Sequence, residues 1–459
     1  MLRCRTGLFS AAIFSFIEMK LPLYDRGSVE EERWILNKGS QNKLPNFFNT
    51  FRDFNHAADE PDACTADELH CVPVPGTTWQ LALWRYCPPA DVSLRKHPLL
   101  LLPAIGTKAN CFDLDPRVSL ARYMSEQGFD TWILEARGCG ASKRGNDSVT
   151  TYTGKKGMDQ DGSDGLQKPD SDSSNDRDRP LVVFKSSEPV EDYDWDFDTY
   201  LQEEIPTAIE YIRNHMQPED CKLLSIGHSL GGIFLYGRLA THGENSGLAG
   251  VVTIASALEY GVSNSSLKLL LPFKDVVGTF HGHVVPLDAL MTIMYPLVVH
   301  PPYVFAWLGS HISFGNNMDP DLYKKLLLTS FCPIPVKLLL QLSTVFQRGG
   351  LRNCEGSIVY KELLQDCEVP VLAIAADKDL ICPPPAVLDT VKALPCGKAN
   401  FKQFGDDDHH YGHYDILCSD SAREEVFPVI VDFLVKCDRL PDQKHSPKLH
   451  DMSKLQDSN

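Results

Sequence analysis

Short continuous runs of apolar residues alternate along the chain with segments whose apolar positions recur at helical spacing. The run HPLLLLPAIG at 97–106 ends in glycine, as is typical of a strand buried on both faces of a sheet. LAGVVTIAS at 248–256 and VPVLAIAAD at 369–377 repeat this pattern. Because helical patterns separate these runs, we predict a mostly parallel sheet with helices on both faces.

Local signals predict a hairpin and a long helix. Pro75 and Gly76 form a turn signal between two strand-like runs, which indicates a β-hairpin. The segment WDFDTYLQEEIPTAIEYIRNHM at 195–216 is amphipathic, and Asp196 or Asp198 can cap its start. Pro206 lies within this segment and can kink the helix.

These patterns divide the chain into a core with two insertions. Nearly all residues of 143–180 are polar, so this stretch is predicted to be a disordered acidic insertion. A Leu-rich, proline-interrupted block without obvious strands is predicted to form a helical cap. The predicted ranges are 1–65 for an N-terminal segment, 66–256 and 355–440 for the two parts of the core, 257–354 for the cap and 441–459 for a disordered tail.

Charge and cysteine content narrow the class of protein. Among 459 residues, 44 are Lys or Arg and 61 are Asp or Glu, which gives a net charge of −17. Such a surface repels phosphate backbones, so we do not expect nucleic-acid binding. The 14 cysteines form no C-x-x-C pair. We therefore predict free thiols in a reducing compartment, with Cys221, Cys367 and Cys382 beside core strands.

The N-terminus and the longest apolar run bear on membranes and targeting. The first residues carry Arg3 and Arg5 and no acid before Glu18, which fits a transit peptide loosely and an ordinary N-terminal segment equally well. The apolar run at 290–309 is interrupted by prolines, so no transmembrane segment is predicted. Peripheral contact with a lipid surface stays open.

The pentapeptide GHSLG at 227–231 matches the G-x-S-x-G nucleophile elbow. In that motif the serine lies on a sharp turn between a strand and a helix, and glycine is needed on both sides to avoid neighbouring backbone. The context agrees, because the apolar run KLLSI precedes the motif and a helical pattern follows it. Ser229 is the predicted nucleophile, with Gly227, His228 and Gly231 completing the elbow.

A serine hydroxyl is essentially un-ionised near neutral pH, so it needs a histidine base and an orienting carboxylate. Behind this elbow the acid is expected next along the chain and the histidine last. Asp377 and Asp379 both follow the strand-like run at 369–376. The position a short turn beyond the strand favours Asp379 and leaves Asp377 as the alternative.

The stretch FGDDDHHYGHYD at 404–415 supplies the histidine candidates His409, His410 and His413. Its density of Asp and His also suggests a metal site. However, glycines at both ends indicate a loop, and no second ligand cluster follows elsewhere to complete a coordination shell. We therefore predict a polar turn with one working histidine, and neither a metal nor a cofactor.

An oxyanion hole needs two backbone N–H groups directed at the developing negative charge. One is expected from Leu230, the residue after the nucleophile. The other is expected from the loop after the strand at 99–102, with Ile105 as first choice and Gly106 as runner-up.

These segments, in this order from about residue 70 to 438, resemble the α/β-hydrolase superfamily. The loop YGHYDIL looks like the His-x-Asp-Phe-Ile/Leu loop of acid-lipase-like members. This resemblance favours His413, keeps His410 in reserve and leaves His409 as a solvated neighbour. One departure is Pro103-Ala104, where many members have His-Gly.

The overall pattern is most similar to a plant group of uncharacterised α/β-hydrolase-fold proteins. The segment DFDTYLQEEIPTAIEYI at 196–212 also resembles polyhydroxyalkanoate-synthase-like proteins. Those proteins use cysteine in the elbow, so Ser229 disfavours polymer synthesis. The resemblance to the plant group implies the α/β-hydrolase fold and association with a plastid; otherwise we expect the cytoplasm.

The predicted function is a serine hydrolase that cleaves a carboxylic ester or thioester of a lipophilic substrate. Ser229 would attack the carbonyl, His413 would transfer the proton, and Asp379 would orient the imidazole. The apolar cap favours a lipophilic acyl or alcohol group. Two alternatives remain: acyl transfer by the same triad, and a non-catalytic protein that binds lipophilic ligands on this scaffold.

Overall fold

The computed structural model describes residues 62–145, 148–153, 181–183, 193–261, 263–268, 284–299, 309–315 and 317–439. The predicted tail, almost all of the N-terminal segment and most of the predicted insertion lie outside these residues. The strands are β1 Asp62–Cys64, β2 Glu68–Pro73, β3 Trp79–Tyr86, β4 Leu99–Leu102, β5 Thr131–Glu135, β6 Lys143–Arg144, β7 Thr150–Thr153, β8 Leu181–Val183, β9 Leu223–His228, β10 Leu248–Ile254, β11 Val284–Val285, β12 Ile334–Pro335, β13 Val371–Ala376 and β14 Ala399–Phe404. The α-helices are α1 Leu120–Glu126, α2 Phe197–Thr199, α3 Ile205–Met216, α4 Leu230–His242, α5 Leu287–Val299, α6 Pro320–Thr329, α7 Val336–Leu342, α8 Pro384–Val391, α9 Asp415–Cys418 and α10 Asp420–Asp438.

One large sheet organises the described chain. Its strand order is β14-β13-β10-β9-β4-β5-β3-β2-β7, and β6 pairs with β3. The strands from β14 to β5 run parallel to their neighbours, whereas β3, β2 and β7 pair antiparallel. The antiparallel start, the exchange of β4 and β5 in space, and the parallel continuation confirm the predicted α/β-hydrolase fold.

Helices cover both faces of this sheet, as the pattern predicted. On β10, the space in front of Gly250 is filled by Cys437 of α10. Thr253 lies three residues further along the strand, so its side chain points to the other face. It bonds to the hydroxyl of Tyr236 on α4 at 2.9 Å. Because successive side chains of a strand point to opposite faces, α10 and α4 pack on opposite sides of the sheet.

Two predicted regions differ from the structure. β6 and β7 lie within the range predicted for the insertion and join the antiparallel edge of the sheet. In the cap, β11 and β12 form a two-stranded antiparallel ribbon that the Leu-rich pattern did not indicate. Both corrections concern strands of two to four residues, which are too short for a period to be visible.

Among the described residues, no helix has the length and apolar character that crossing a membrane requires.

The helical segment at 195–216 is divided by a π-helical turn. Asp196, one of the two predicted caps, begins the segment and forms a capping box with Thr199. A π-helical turn over Tyr200–Glu204 follows, and Pro206 lies in the first turn of α3. Because a proline has no N–H, it cannot complete the helical hydrogen bond to the preceding turn at this position. A π turn thus lies directly before the proline, and the kink at Pro206 stays a prediction.

The prediction of free thiols is wrong for one pair of cysteines. Cys139, in the loop after β5, forms a disulfide with Cys332, directly before the cap strand β12. Cys367 and Cys382 are buried free thiols, as expected, whereas Cys221 is exposed. The two bonded cysteines are 193 residues apart, so no local spacing could have indicated the bond.

A buried histidine joins the start and the end of the core. His97 precedes β4, and its Nδ1 and Nε2 lie 2.9 and 2.8 Å from carboxylate oxygens of Asp438 and Asp220. Burial lowers the pKa of His97, but these two hydrogen bonds outweigh burial and raise it above the ordinary value. The charged imidazolium satisfies both carboxylates, so this contact stabilises the closure of α10 on the sheet.

We predict that His97→Leu destabilises the fold in a pH-dependent way. The contribution of His97 should be complete below its unfolded pKa of about 6.5 and should fall as the pH rises through its higher folded pKa. Loss of one partner from a buried ion pair costs about 3 kcal/mol. Urea unfolding at pH 6 should show this loss, and unfolding at pH 9 a smaller one. His242→Leu, which changes an exposed histidine, should stay within about 0.5 kcal/mol of wild type. An equal loss for His97→Leu at both pH values would contradict the assignment.

Candidate active site

The three predicted catalytic side chains follow three parallel strands. Ser229 comes directly after β9, Asp379 lies in the turn after β13, and His413 lies in the loop after β14. The carboxyl ends of parallel strands meet at one edge of a sheet, where ligands of open α/β folds are bound. Serine, acid and histidine, which are far apart along the chain, therefore all lie at that edge.

Ser229 has a backbone conformation that residues other than glycine rarely adopt. Its φ is 52° and its ψ is −116°, and its N–H donates to the carbonyl of Ile254 at 2.8 Å. A β-carbon at Gly231 would overlap the carbonyl oxygen of Leu102, and one at Gly227 would overlap the backbone of Gly231. Both glycines are thus required by close backbone approach, which was the physical reason for predicting an elbow here.

Asp379 and His413 form a buried pair. Asp379 Oδ2 lies 2.7 Å from His413 Nδ1, and the two side chains are 0% and 2% exposed. Asp379 Oδ1 accepts the N–H groups of Ile381 and Cys382 at 2.8 and 2.9 Å, which fixes the carboxylate. An ionised carboxylate can only accept, so Nδ1 carries the hydrogen and Nε2 is left with its lone pair. This is the tautomer that a general base requires.

His228 holds the backbone of the histidine loop. It is fully buried, and its Nε2 donates to the carbonyl of His413 at 2.9 Å. The rings of His228 and His413 are 4.9 Å apart. Burial, and then the nearby His413, lower the pKa of His228 to about 3, so this ring stays neutral. The sequence placed His228 only in the elbow, and its contact with the loop became visible only in the tertiary structure.

A second Asp–His pair lies beside the first. Asp377 Oδ2 is 2.6 Å from His410 Nδ1, and Asp377 Oδ1 accepts the N–H of Tyr411 at 2.9 Å. The His410 side chain is 27% exposed, in contrast to the enclosed pair that contains His413. The pair ties the start of the histidine loop to the end of β13. Asp377 and His410, which were the alternatives, are therefore bonded to each other. Asp379 and His413, which were preferred, form the other pair.

The histidines of the stretch 404–415 do not converge on one point. His409 bonds Ser421 at 3.0 Å and is half-buried, so it is not the solvated neighbour that we expected. Asp406 accepts the N–H groups of Asp408 and His409, as a polar turn does. Within the described part of the chain, only one group of three side chains is close enough together to share a metal ion, and it lies elsewhere: Asp196, Asp198 and Cys354.

Asp415 attaches the cap to the histidine loop. Its carboxylate accepts the N–H groups of Gly412 and Phe314 at 2.7 and 3.2 Å, and the side-chain amide of Asn317 at 3.1 Å. Burial raises the pKa of Asp415 to about 6, although these hydrogen bonds oppose the rise. Asp415 was not among the predicted site residues. The available signal was its place in YGHYDIL, two residues after His413.

The predicted oxyanion donors lie where helix α4 begins and where β4 ends. Leu230 is the first residue of α4, so its N–H has no acceptor within the helix. In the loop after β4, Gly106 has a φ of 58° and its carbonyl accepts the N–H of Cys332 at 2.8 Å. Ile105 precedes that turn and is half-buried. The choice between Ile105 and Gly106 as second donor stays a prediction.

Glu135 holds this loop by hydrogen bonds, and it was not among the residues predicted from the sequence. It is the last residue of β5 and is almost fully buried. Its two carboxylate oxygens accept the N–H groups of Ala109 and Ala141 at 2.8 and 2.7 Å. The segment after Ile105 is thus held to the loop after β5. An acidic residue in the otherwise apolar strand TWILE was the signal that could have identified it.

Comparisons with known proteins find only distant matches. No family model and no curated protein matches the sequence. Among solved structures, the monoacylglycerol lipase of Paleococcus ferrophilus is 16% identical with a TM-score of 0.44, over 77% of this chain and 99% of the lipase. A soluble variant of the monoglyceride lipase of Saccharomyces cerevisiae is 12% identical with a TM-score of 0.46, over 82% of this chain and 96% of that one. A thermophilic esterase of Thermogutta terrifontis is 13% identical with a TM-score of 0.45, over 83% and 99%. Similarity at this level does not extend to activity, so the function must be argued from the site.

We predict that the Cys139–Cys332 disulfide stabilises the contact between cap and core. A bond that closes so long a loop is worth about 2–4 kcal/mol. Adding dithiothreitol should lower the urea midpoint of the wild type, and Cys139→Ser should have the lower midpoint with or without reductant. Cys221→Ser, which changes an exposed free thiol, should behave like the wild type. Alkylation of both Cys139 and Cys332 in unreduced protein, detected by mass spectrometry, would disprove the bond.

Proposed function

We propose that this protein is a serine hydrolase that cleaves a carboxylic ester or thioester through an acyl-enzyme. The observation that carries the proposal is the buried Asp379–His413 pair at 2.7 Å, at the same sheet edge as the elbow of Ser229. A buried carboxylate is costly unless it is hydrogen-bonded, and here two backbone amides and the His413 ring donate to Asp379. The same arrangement leaves His413 Nε2 free to accept a proton.

The first half of the reaction forms the acyl-enzyme. Ser229 Oγ attacks the carbonyl carbon while His413 Nε2 takes its proton, and the imidazolium is stabilised by Asp379. The negative charge on the carbonyl oxygen is met by the N–H of Leu230 and that of Ile105. His413 then gives its proton to the departing alcohol or thiol, and the carbonyl is left bonded to Ser229.

The second half regenerates the enzyme. Water loses a proton to His413 and attacks the acyl carbon, and Ser229 Oγ leaves with that proton. The products are one carboxylic acid and one alcohol or thiol. No electrons leave the substrate, so this scheme needs no oxidant. An ester with a lipophilic part fits the apolar side chains beside Leu230, such as Phe234 and Leu338.

The main prediction concerns the two Asp–His pairs. Ser229→Ala should lower kcat for p-nitrophenyl esters by roughly 10⁴-fold or more, and His413→Ala should do the same. Asp379→Asn should lower kcat by up to about 10⁴-fold, because the amide favours the wrong tautomer. The matched changes Asp377→Asn and His410→Ala should stay within about tenfold of wild type, and so should His409→Ala.

Two outcomes would contradict this prediction. Equal turnover by the wild type and Ser229→Ala would exclude Ser229 as nucleophile. A greater loss for Asp377→Asn than for Asp379→Asn would mean that the neighbouring pair is the working one. Labelling of folded protein by a fluorophosphonate, with the adduct mapped to Ser229, tests nucleophilicity without a chosen substrate. Failure to label would favour a non-catalytic binding protein.

A further prediction concerns His228 as a positioning residue. His228→Leu removes the donor to the carbonyl of His413, and a misplacement of about 1 Å can cost roughly 10²-fold in rate. We expect kcat to fall by that factor while KM changes little. His228→Gln, whose amide can still donate, should recover most of kcat. Equal loss in both variants, with a fall in melting temperature to match, would indicate a role in folding only.

A further inference from the structure

Both candidates for the second oxyanion donor lie in one tight turn. The N–H of Thr107 donates to the carbonyl of Ala104 at 3.2 Å, and the Thr107 hydroxyl donates to the same oxygen at 2.8 Å. Ile105 and Gly106 are the central residues of this turn, and Gly106 has the positive φ of 58° that glycine adopts without strain. The contacts that hold the ends of the turn therefore also set the direction of both candidate N–H groups.

A short segment of the cap holds the exit of this turn. Residues 330–332 pair antiparallel with residues 106–108 through two backbone hydrogen bonds of 2.8 Å. One of these bonds runs from the N–H of Cys332 to the carbonyl of Gly106. A β-carbon at Gly106 would overlap the side chain of Ile334, so the cap also packs closely on the turn.

The disulfide fastens this cap segment to the core. Cys332 is bonded to Cys139, which lies in the loop after β5. That loop is itself anchored, because Glu135 accepts the N–H of Ala141 with one carboxylate oxygen and that of Ala109, shortly after the turn, with the other. Water can replace the backbone hydrogen bonds to the cap segment, but it cannot replace the disulfide. The covalent bond therefore keeps the cap segment against the turn even when those hydrogen bonds open.

Cysteine usage points to reduction as the natural change at this bond. Eleven other cysteines of the described part of the chain are free thiols. Many free thiols are typical of a protein from a reducing compartment, where a disulfide, when present, is usually redox-sensing or catalytic. Cys139 and Cys332 are buried, but both line a partly open cavity between cap and core, from which a small dithiol can approach the bond.

We propose that the Cys139–Cys332 disulfide positions the oxyanion hole, and that its reversible reduction lowers the rate of ester cleavage. A dithiol supplies two electrons and two protons, so the S–S bond breaks, both cysteines are left as thiols, and the dithiol closes to a disulfide. The cap segment can then part from the turn, and the second donor loses its fixed direction. This inference rests on the proposed function, because the donor serves the negative charge that forms when Ser229 attacks.

The test compares oxidised and reduced full-length protein. After treatment with dithiothreitol and removal of the reductant under nitrogen, kcat for p-nitrophenyl butyrate should fall by roughly 10- to 100-fold, since loss or misplacement of one donor has about this effect. KM should change little, because the donor acts on the transition state. The affinity for phenylboronic acid, whose adduct with a serine is tetrahedral and anionic, should fall in step with kcat. Oxidised glutathione should restore both.

Two variants serve as matched controls. The double change Cys139→Ser and Cys332→Ser should give the kcat of the reduced wild type, and dithiothreitol should not alter it. Cys221→Ser changes an exposed free thiol and should respond to dithiothreitol as the wild type does. Alkylation with iodoacetamide, followed by mass spectrometry, shows in each sample whether Cys139 and Cys332 have been freed.

The outcomes separate this inference from the function on which it rests. If a fluorophosphonate labels Ser229 and reduction leaves kcat unchanged, the disulfide does not position the oxyanion hole and the hydrolase stands. If Ser229 is not labelled and no ester is cleaved in either state, the proposed function fails first, and the inference with it.

Two further results would overturn the inference alone. If dithiothreitol leaves the bond intact in folded protein, reversible reduction is wrong. If reduction lowers activity only in step with a loss of circular dichroism at the assay temperature, the bond acts on folding and not on the oxyanion hole. The comparison of oxidised and reduced wild type decides the matter even if the double variant fails to fold.

Discussion

Ser229 holds a backbone conformation, with φ 52° and ψ −116°, that costs a residue with a β-carbon on the order of 1–3 kcal/mol. The surrounding fold maintains it. The N–H of Ser229 is bonded to β10, and helix α4 lies against the end of β4 at a distance that only Gly231 permits. Because the turn is sharp, it lifts the hydroxyl above the sheet edge. The same turn leaves the N–H of Leu230 without a helical partner, so the proposed nucleophile and one predicted oxyanion donor are products of a single constraint.

The histidine loop has little regular structure, yet buried polar contacts fix its residues Gly412 and His413. His228 bonds the carbonyl of His413, Asp379 bonds its ring, and Asp415 bonds the N–H of Gly412. Each acceptor is enclosed, so breaking any of these contacts would strand a buried polar group. Such a loop is preorganised in the sense that catalysis requires, because its dipoles need not reorient when charge develops.

The cap is attached to the core on two sides of the proposed site. Asp415 and Asn317 connect it to the histidine loop, and the Cys139–Cys332 disulfide connects it to the loop after β5. The second attachment lies beside the segment of Ile105, which Glu135 holds from the core. Residues of the cap, such as Ile334 and Leu338, thus lie beside Ile105 and Leu230, the two predicted oxyanion donors.

The sequence by itself determined the sheet, the elbow and the order of the catalytic candidates, because each depends on local periodicity or on a glycine that only one geometry requires. The position after the strand favoured Asp379 over Asp377, and the family resemblance favoured His413, but the sequence could not show which aspartate meets which histidine, since candidates two to four residues apart share the same local signals. Tertiary structure paired them, Asp379 with His413 in the interior and Asp377 with His410 near solvent. The disulfide and the partner of His228 were likewise decided only in three dimensions, because they join segments that lie far apart along the chain.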